Sequence, residues 1–359
     1  MLKEVTIKNF RGIKHCKLSD MRTINVLIGP NNSGKSTIFD AIFFGLKGIF
    51  DPGKLREIIA NRVHRDVDLP EIYYAYSDTL PIEITLTFQD DYWYELMIYK
   101  TREAKDMLRL DGTIIRVEPN SNILTFKHSK EAQELYYGDL GPKLEVSYLH
   151  SYKPTSRVET RVLTYARDSS FLLSHVRLDY LWEDLEELLA KFKLNMELEK
   201  EFINTLNDIY GLHTYEFVPM PISTDIKKTA FLEGNLRVFG DFHGAGVQRA
   251  ALILAHLIAF KNTALFIEEL ETWQHPASLK KLIEHIVRLA LQNRIQVFIT
   301  THSYHDCLRF IQYSVEEKIR ENVLRVYKIT KKPSGEVMAE NVTNNIPEII
   351  RSVYEEEGV

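Results

Sequence analysis

Cysteine is nearly absent. Cys16 and Cys307 stand far apart in the chain, which excludes a disulfide framework and a thiolate metal site, and a reducing cytoplasm is the expected compartment. No apolar run reaches membrane-spanning length, and Met1-Leu2-Lys3-Glu4-Val5 reads directly as structure rather than as a secretory leader, so no membrane partner is expected. An excess of positive charge is missing as well: 45 Lys and Arg stand against 50 Asp and Glu, so composition gives no global pull toward nucleic acid, while a local basic surface stays open. Internal repeats and low-complexity tracts are also absent. With 359 residues and 45% hydrophobic content, the chain can bury a large core as one composite domain with an elaborated lobe, or as two domains.

One stretch is chemically demanding. Gly29-Pro30-Asn31-Asn32-Ser33-Gly34-Lys35-Ser36, with Thr37 behind it, fits G-x-x-x-x-G-K-[ST]. Gly29 and Gly34 let the backbone curl so that the N–H groups around Asn31, Asn32 and Ser33 point inward at phosphate oxygens. Lys35 then reaches the β/γ-phosphates and the Ser36 hydroxyl holds Mg²⁺. Thr23 to Ile28 reads as a short buried strand, and Ile38, Phe39, Ile42, Phe43 and Leu46 have helical spacing. The loop thus leads into a helix N-terminus, which favours an anion, and ATP or GTP binding is expected.

Around this loop the chain alternates character. Val5 to Phe10 and His15 to Leu18 read as a hairpin turned at Arg11-Gly12; Arg11 either touches nucleotide or is a solvated turn arginine. A connector at 51–70 has no clear pattern. From Pro81 an antiparallel meander is predicted: Ile82 to Phe88, a turn at Asp90-Asp91, Tyr92 to Tyr99, strands either side of Asp111-Gly112, then Ile123 to Phe126 after Asn120-Ser121-Asn122. A strand at 144–149 and a basic link with Arg157, Arg161 and Arg167 follow. Residues 178–209 have helical period with a break near Lys193-Leu194-Asn195 and a stop at Gly211, predicting two antiparallel helices as a short arm. A Pro-rich connector (Pro219, Pro221) leads to the last third. The expected division is 1–150, an N-terminal lobe with the phosphate loop and β insertion; 151–235, the helical arm; and 236–359, a C-terminal lobe.

That last third holds a second chemical block. Gly240 to Gly246 is glycine-rich and enters an apolar helix, Val247 to Phe260, whose start is either an anion site or a flexible helix entry. Ala264 to Ile267 is a buried strand ending in Glu268-Glu269-Leu270-Glu271. Carboxylates at such a strand end suit ligand chemistry; Glu268 and Glu269 face opposite ways and would divide the work, one on the Mg²⁺ water shell and one on the attacking water. An acidic surface turn is the plainer alternative. His275-Pro276 opens a helix, and Ile295 to Ile299 is another buried strand ending in Thr300-Thr301-His302-Ser303. His302 can donate to a γ-phosphate, with His305 as a competitor one turn on. Leu324 to Thr330 and Glu336 to Val342 read as a closing hairpin, and Ile346 to Val353 as a short helix.

Phe10-Arg11-Gly12, Gly29 to Thr37, Gly244 to Arg249, Phe266 to Glu271 with His275-Pro276, and Phe298 to Ser303 occur in an order that resembles ATPases of the RecF, SMC and OLD group, and is most similar to OLD-type ATPases. The resemblance touches both ends of the chain and skips roughly residues 50 to 235. It implies an α/β P-loop NTPase with an ABC-type head, an inserted antiparallel β-meander and a short helical arm. It further implies a homodimer in which two heads sandwich two ATP molecules. Lys35 would bind the β/γ-phosphates, Ser36 the Mg²⁺, Glu268 the metal's water shell, Glu269 the hydrolytic water and His302 the γ-phosphate, with Arg11 near the nucleotide. Gly244, Ala245 and Gly246, with Gln248 beside them, would face the other chain's ATP.

Two departures from that family pattern matter: Glu268 stands where the wider superfamily has aspartate, and the Leu-Ser-Gly-Gly signature is missing, with its serine. No glutamine is identified for the loop that links lobe and metal. OLD nucleases carry a Toprim domain of on the order of a hundred residues, and 57 residues follow His302. Any DNA cleavage is therefore expected from a partner. The function expected is an ATPase whose ATP-dependent dimerisation gates DNA binding or a nuclease partner, in DNA repair or defence against phage and plasmids. The alternatives are an ATP-switched scaffold with little turnover that recruits another protein and, disfavoured by the signature, a transporter subunit.

Overall fold

The computed structural model describes residues 1–50, 79–89, 92–100, 102–103, 105–108, 114–117, 122–128, 131–139, 170–172, 178–221 and 227–357. The connector at 51–70, the Asp90-Asp91 and Asp111-Gly112 turns, Asn120-Ser121, the strand expected at 144–149 and the link with Arg157, Arg161 and Arg167 lie outside them. Two units make up the chain: Met1–Phe171 with Arg325–Val342, and Leu172–Leu324 with Thr343–Val359.

In the first unit, β1 (Leu2–Phe10) and β2 (Ile13–Leu18) form the expected hairpin, with Ile7 opposite Cys16 and Phe10 opposite Ile13, so the apolar half of the alternation lies on one buried face. Arg11 makes the turn with φ 50°. β3 (Ile24–Ile28) is buried throughout and leads through the phosphate loop into α1 (Lys35–Phe50). The meander is present as β4 (Ile82–Phe88), β5 (Trp93–Lys100), β8 (Asn122–His128) and β9 (Glu131–Asp139), each antiparallel to the next, while β6 (Lys105–Leu108) and β7 (Ile114–Val117) form their own ribbon. The closing hairpin is β16 (Leu324–Lys331) with β17 (Glu336–Asn341). The strands of this unit run in the order β3-β16-β17-β2-β1-β4-β5-β8-β9, and β17 pairs with β2 in parallel. Gly45, in the middle of α1, has a reason: a Cβ there would lie 3.0 Å from Ile84 and 3.1 Å from Leu86, so the missing side chain lets the helix lie close on β4.

β10 (Ser170–Leu172) falls at the boundary of the two units in the chain, and the second unit continues with the expected helix pair, α2 (Leu178–Phe192) and α3 (Met196–Tyr210). Asn195 Oδ1 accepts from the N–H groups of Glu197 (3.1 Å) and Leu198 (3.4 Å), and Gly211 closes α3 at φ 65°. Both helices pack their apolar faces, including Leu185, Leu189, Phe202 and Leu206, on α4 (Ala245–Ala259). The Pro-rich connector proves to be a strand. β11 (Thr214–Pro221), β12 (Lys227–Glu233) and β13 (Leu236–Phe239) form a three-stranded antiparallel sheet in that order. Pro219 and Pro221 are tolerated because β11 is its edge strand, where a missing donor need not break a ladder on both sides.

Downstream, β14 (Ala264–Ile267) and β15 (Gln296–Thr300) pair in parallel across α5 (Pro276–Asn293), with Ile267 opposite Ile299. His275 caps α5, its Nδ1 accepting from Ala277 N at 3.3 Å, and Pro276 occupies the first turn. Among the described residues no helix is long and apolar enough to cross a membrane.

Buried within α4, His256 has Nδ1 2.8 Å from Leu252 O and a ring stacked on Phe260; burial pushes its pKa down to about 4. In the unfolded chain it titrates near 6.5, so its neutral form contributes stability that is present above that pH and lost as pH falls toward 4. His256→Leu should flatten the fall in melting temperature across this window, removing on the order of 3 kcal/mol of pH-dependent destabilisation. Melts of both proteins between pH 7 and 4 check it, and parallel curves would contradict it.

Candidate functional site

In the first unit the phosphate loop takes the backbone shape its glycines predict. Gly29 lies at φ 143° and Gly34 at φ 103°, with Asn32 at φ 62° between them. A Cβ on Gly29 would come within 2.4 Å of Ile329 O, so the loop is pressed against β16 and no other residue fits. Lys35 is buried and folds over the loop, its Nζ donating to Gly29 O (2.8 Å) and Pro30 O (3.0 Å). Ser33 Oγ is buried with no hydrogen-bond partner. Asn31, Asn32 and Ser36 are exposed, and Thr37 is half-buried in the first turn of α1. Arg11 points at this helix: its Nη1 binds Asp40 Oδ2 at 2.5 Å. An orphaned hydroxyl, a glycine-shaped cradle and a lysine ammonium at a helix N-terminus fit a polyphosphate, and Ser36 offers a hydroxyl to its Mg²⁺.

In the second unit the acidic strand end and the histidine strand end meet. Glu268 is buried and directly follows β14, and Glu269 comes next in the left-handed conformation at φ 46°, which is costly for a residue with a side chain. Thr300 holds the turn: its Oγ1 accepts from Glu269 N (2.9 Å) and its carbonyl from Leu270 N (3.2 Å). The result brings Glu269 Oε1 to 3.8 Å from His302 Nε2. His305 lies instead in the π-helical turn Tyr304–Leu308 and pairs with Asp306 at 3.1 Å. Glu268 and Glu269 thus split into a buried and a half-exposed carboxylate; both follow β14, and it is the turn at Glu269, not strand alternation, that separates them. Among the described residues no three His, Cys, Asp or Glu side chains converge on a metal site.

The glycine-led turn starts α4 in the same unit. Gly244 is its N-cap, with open space where a Cβ would stand. At Gly246 a Cβ would lie 2.4 Å from Trp273 O, and the Gly246 carbonyl accepts from Gln274 Nε2 (2.8 Å) with the Tyr210 hydroxyl 2.9 Å away. Gln248 is buried, and its Nε2 donates to His243 O (2.6 Å) and Asp241 O (3.2 Å). Its amide therefore braces the preceding loop instead of facing outward beside Ala245.

Two residues were given no role from the sequence. Arg249 of α4 is buried, and its Nη2 donates to Glu268 O and, at 3.1 Å, to Glu269 O. Burial pulls its pKa down while Glu271, Glu269 and Glu268 push it back. A lone arginine inside an apolar helix was the available signal. Glu271 accepts from the backbone N–H groups of His302 (2.7 Å) and Ser303 (3.2 Å). Its sequence signal was only its place two residues beyond Glu269.

An ATP/GTP phosphatase of Helicobacter pylori is 22% identical over 341 residues, covering 89% of each chain. An OLD nuclease of Thermus scotoductus is also 22% identical, aligned over 90% of this chain and 63% of its own length, so the chain spans under two thirds of that relative. Among solved structures, an SMC head bound to the C-terminal winged-helix domain of ScpA shares the fold, with a TM-score of 0.56 at 12% identity over 95% of this chain and 97% of that one. The family model described as "AAA domain, putative AbiEii toxin, Type IV TA system" matches residues 24–305, and the chain belongs to that family as an ABC-type ATPase of the RecF, SMC and OLD group.

Proposed function

We propose that this ATPase pairs with a second copy of itself through bound ATP, and that pairing gates DNA binding or a nuclease partner in a reducing cytoplasm. The observation that carries the reading is the Glu269–His302 pair, 3.8 Å apart, on a turn held in a strained conformation beside a buried Glu268. The backbone N–H groups at 31–36 and the Lys35 ammonium bind the triphosphate. Ser36 and Glu268 are the residues that would hold Mg²⁺, and the ion would supply charge neutralisation of the phosphates. Glu269 orients and deprotonates the attacking water, and His302 donates to the γ-phosphate. Arg11, anchored on Asp40, steadies the first turns of α1 beside the nucleotide. The Gly244-Ala245-Gly246 turn offers free helix N–H groups to the partner copy's ATP.

DNA and a nuclease partner are supported by the OLD nucleases among the relatives, and a protein partner by the ScpA-bound SMC head. The inward-turned Gln248 favours a second reading, a slow ATP-switched scaffold, because it removes one side chain from the surface offered to the partner's ATP.

Glu269→Gln should bind ATP, lose hydrolysis by at least about 10²-fold and accumulate as a dimer in saturating Mg-ATP. Light scattering on a size-exclusion column reads the dimer; a strictly monomeric variant sinks the sandwich. Steady-state hydrolysis with linear duplex, circular duplex and single-stranded DNA at two salt concentrations reads the gate, and indifference to all three turns the reading to the scaffold.

The two glycines of the turn separate folding from trans contact. Gly246→Ala should lower the melting temperature, by about 1–3 kcal/mol of overpacking against Trp273. Gly244→Ala has room and should melt like the parent, yet lose turnover if the partner's phosphate approaches there. Unchanged turnover in Gly244→Ala argues against that approach.

A further inference from the structure

We propose that Glu271 is a positioning residue, which sets His302 against Glu269 by holding the backbone that follows β15. The proposal rests on the roles given above to Glu269 and His302. One carboxylate oxygen, Oε1, accepts two consecutive N–H groups, from His302 at 2.7 Å and Ser303 at 3.2 Å. The other, Oε2, is buried without a hydrogen-bond partner. A solvated acidic turn would not leave a carboxylate oxygen buried and unmet; such burial costs stability and needs the two strong bonds at Oε1 to offset it.

The loop it holds is fixed from the other side as well. Ser303 N donates to Thr301 Oγ1 (3.0 Å), and Ser303 Oγ accepts from Asp306 N (3.3 Å) and Cys307 N (3.5 Å). With its flanks tied, the imidazole of His302 has little backbone freedom left and remains partly exposed. Glu271 itself rides on the turn that carries Glu269: Leu270 N donates to Thr300 O (3.2 Å), Thr272 N to Glu269 O (2.9 Å) and Gln274 N to Glu271 O (3.0 Å). The carboxylate that orients water and the carboxylate that holds the histidine's peptide therefore move as one piece, and the 3.8 Å separation is a property of that piece. Glu271 touches neither nucleotide nor water in this account; it acts through His302.

The test is steady-state ATP hydrolysis and binding of a fluorescent ATP analogue by the full chain, its Glu271→Ala and Glu271→Gln variants, and His302→Ala alone and with Glu271→Ala. Glu271→Ala should lose about 10²-fold in kcat, the scale of a misplacement of about 1 Å, with KM and analogue affinity held. Glu271→Gln keeps an acceptor oxygen at Oε1 and should recover most of that loss. Adding Glu271→Ala to His302→Ala should cost little more, since both remove the same contact. Wild-type kcat in Glu271→Ala overturns the proposal, as does full additivity with His302→Ala, a loss of analogue affinity in Glu271→Ala, or a Glu271→Gln variant as inactive as the alanine. A parent chain that does not hydrolyse ATP, or a Glu269→Gln variant that does so normally, removes the underlying reading and this proposal with it. If those two controls behave and Glu271→Ala is normal, only the positioning role falls.

Discussion

Thr300 is the residue on which the acidic end of the second unit depends. Through its hydroxyl and its carbonyl it takes the N–H groups of Glu269 and Leu270, two consecutive peptides just past the end of β14. The parallel register, with Ile267 opposite Ile299, delivers Thr300 to that place. A left-handed conformation at Glu269 costs on the order of 1–2 kcal/mol, and two hydrogen bonds of about 1 kcal/mol each are enough to offset it. Arg249 adds a charged donor on the carbonyls of Glu268 and Glu269, and the three carboxylates that face it oppose part of the cost of its burial. A strained glutamate is stable here because its backbone is held from both a strand and a helix.

The first unit has a comparable constraint with a different origin. The sequence pattern assigns Gly29 to phosphate binding, but the closest obstacle to a side chain there is Ile329 O of β16. The closing hairpin, three hundred residues downstream, therefore shapes the loop, and it is anchored nearby in turn: the Tyr327 hydroxyl donates to Ser19 O at 2.7 Å and Arg325 Nε to Asp20 O at 3.0 Å. Packing and the phosphate-loop pattern thus call for the same residue at position 29.

That double demand explains what was legible. The phosphate loop, the β1–β2 hairpin, the break at Asn195 and the parallel β14 and β15 strands each have a local cause written within a few residues: a glycine pair, an alternation, a capping amide, an unbroken apolar run. β11 was not legible, because Pro219 and Pro221 speak against a strand until its position at an edge is known. The hydrogen bonds of Gln248 were not legible for a related reason: helical position says which way a side chain starts, while the loop carbonyls of Asp241 and His243 decide where its amide ends. Glu271 was invisible as a functional residue because its partners are backbone amides, which leave no trace in the identity of the residues that carry them.

The glycine-led turn and the acidic turn are joined more tightly than either motif suggests. Gly246 O accepts from Gln274 Nε2, the Tyr210 hydroxyl sits 2.6 Å from Gln274 Oε1 and 2.9 Å from Gly246 O, and Trp273 O occupies the space a Cβ at Gly246 would need. Burial pushes the Tyr210 hydroxyl's pKa well up, so it stays a neutral donor throughout the physiological range. Three residues further along α4, Arg249 holds the carbonyls of Glu268 and Glu269. A displacement of the α4 start would strain bonds at Gln274 and at Glu269 together, and close-packed interiors resolve such strain by moving the connected piece as a body rather than by stretching one contact. The start of α4, the acidic turn and the His302 peptide are therefore joined by one continuous set of hydrogen bonds.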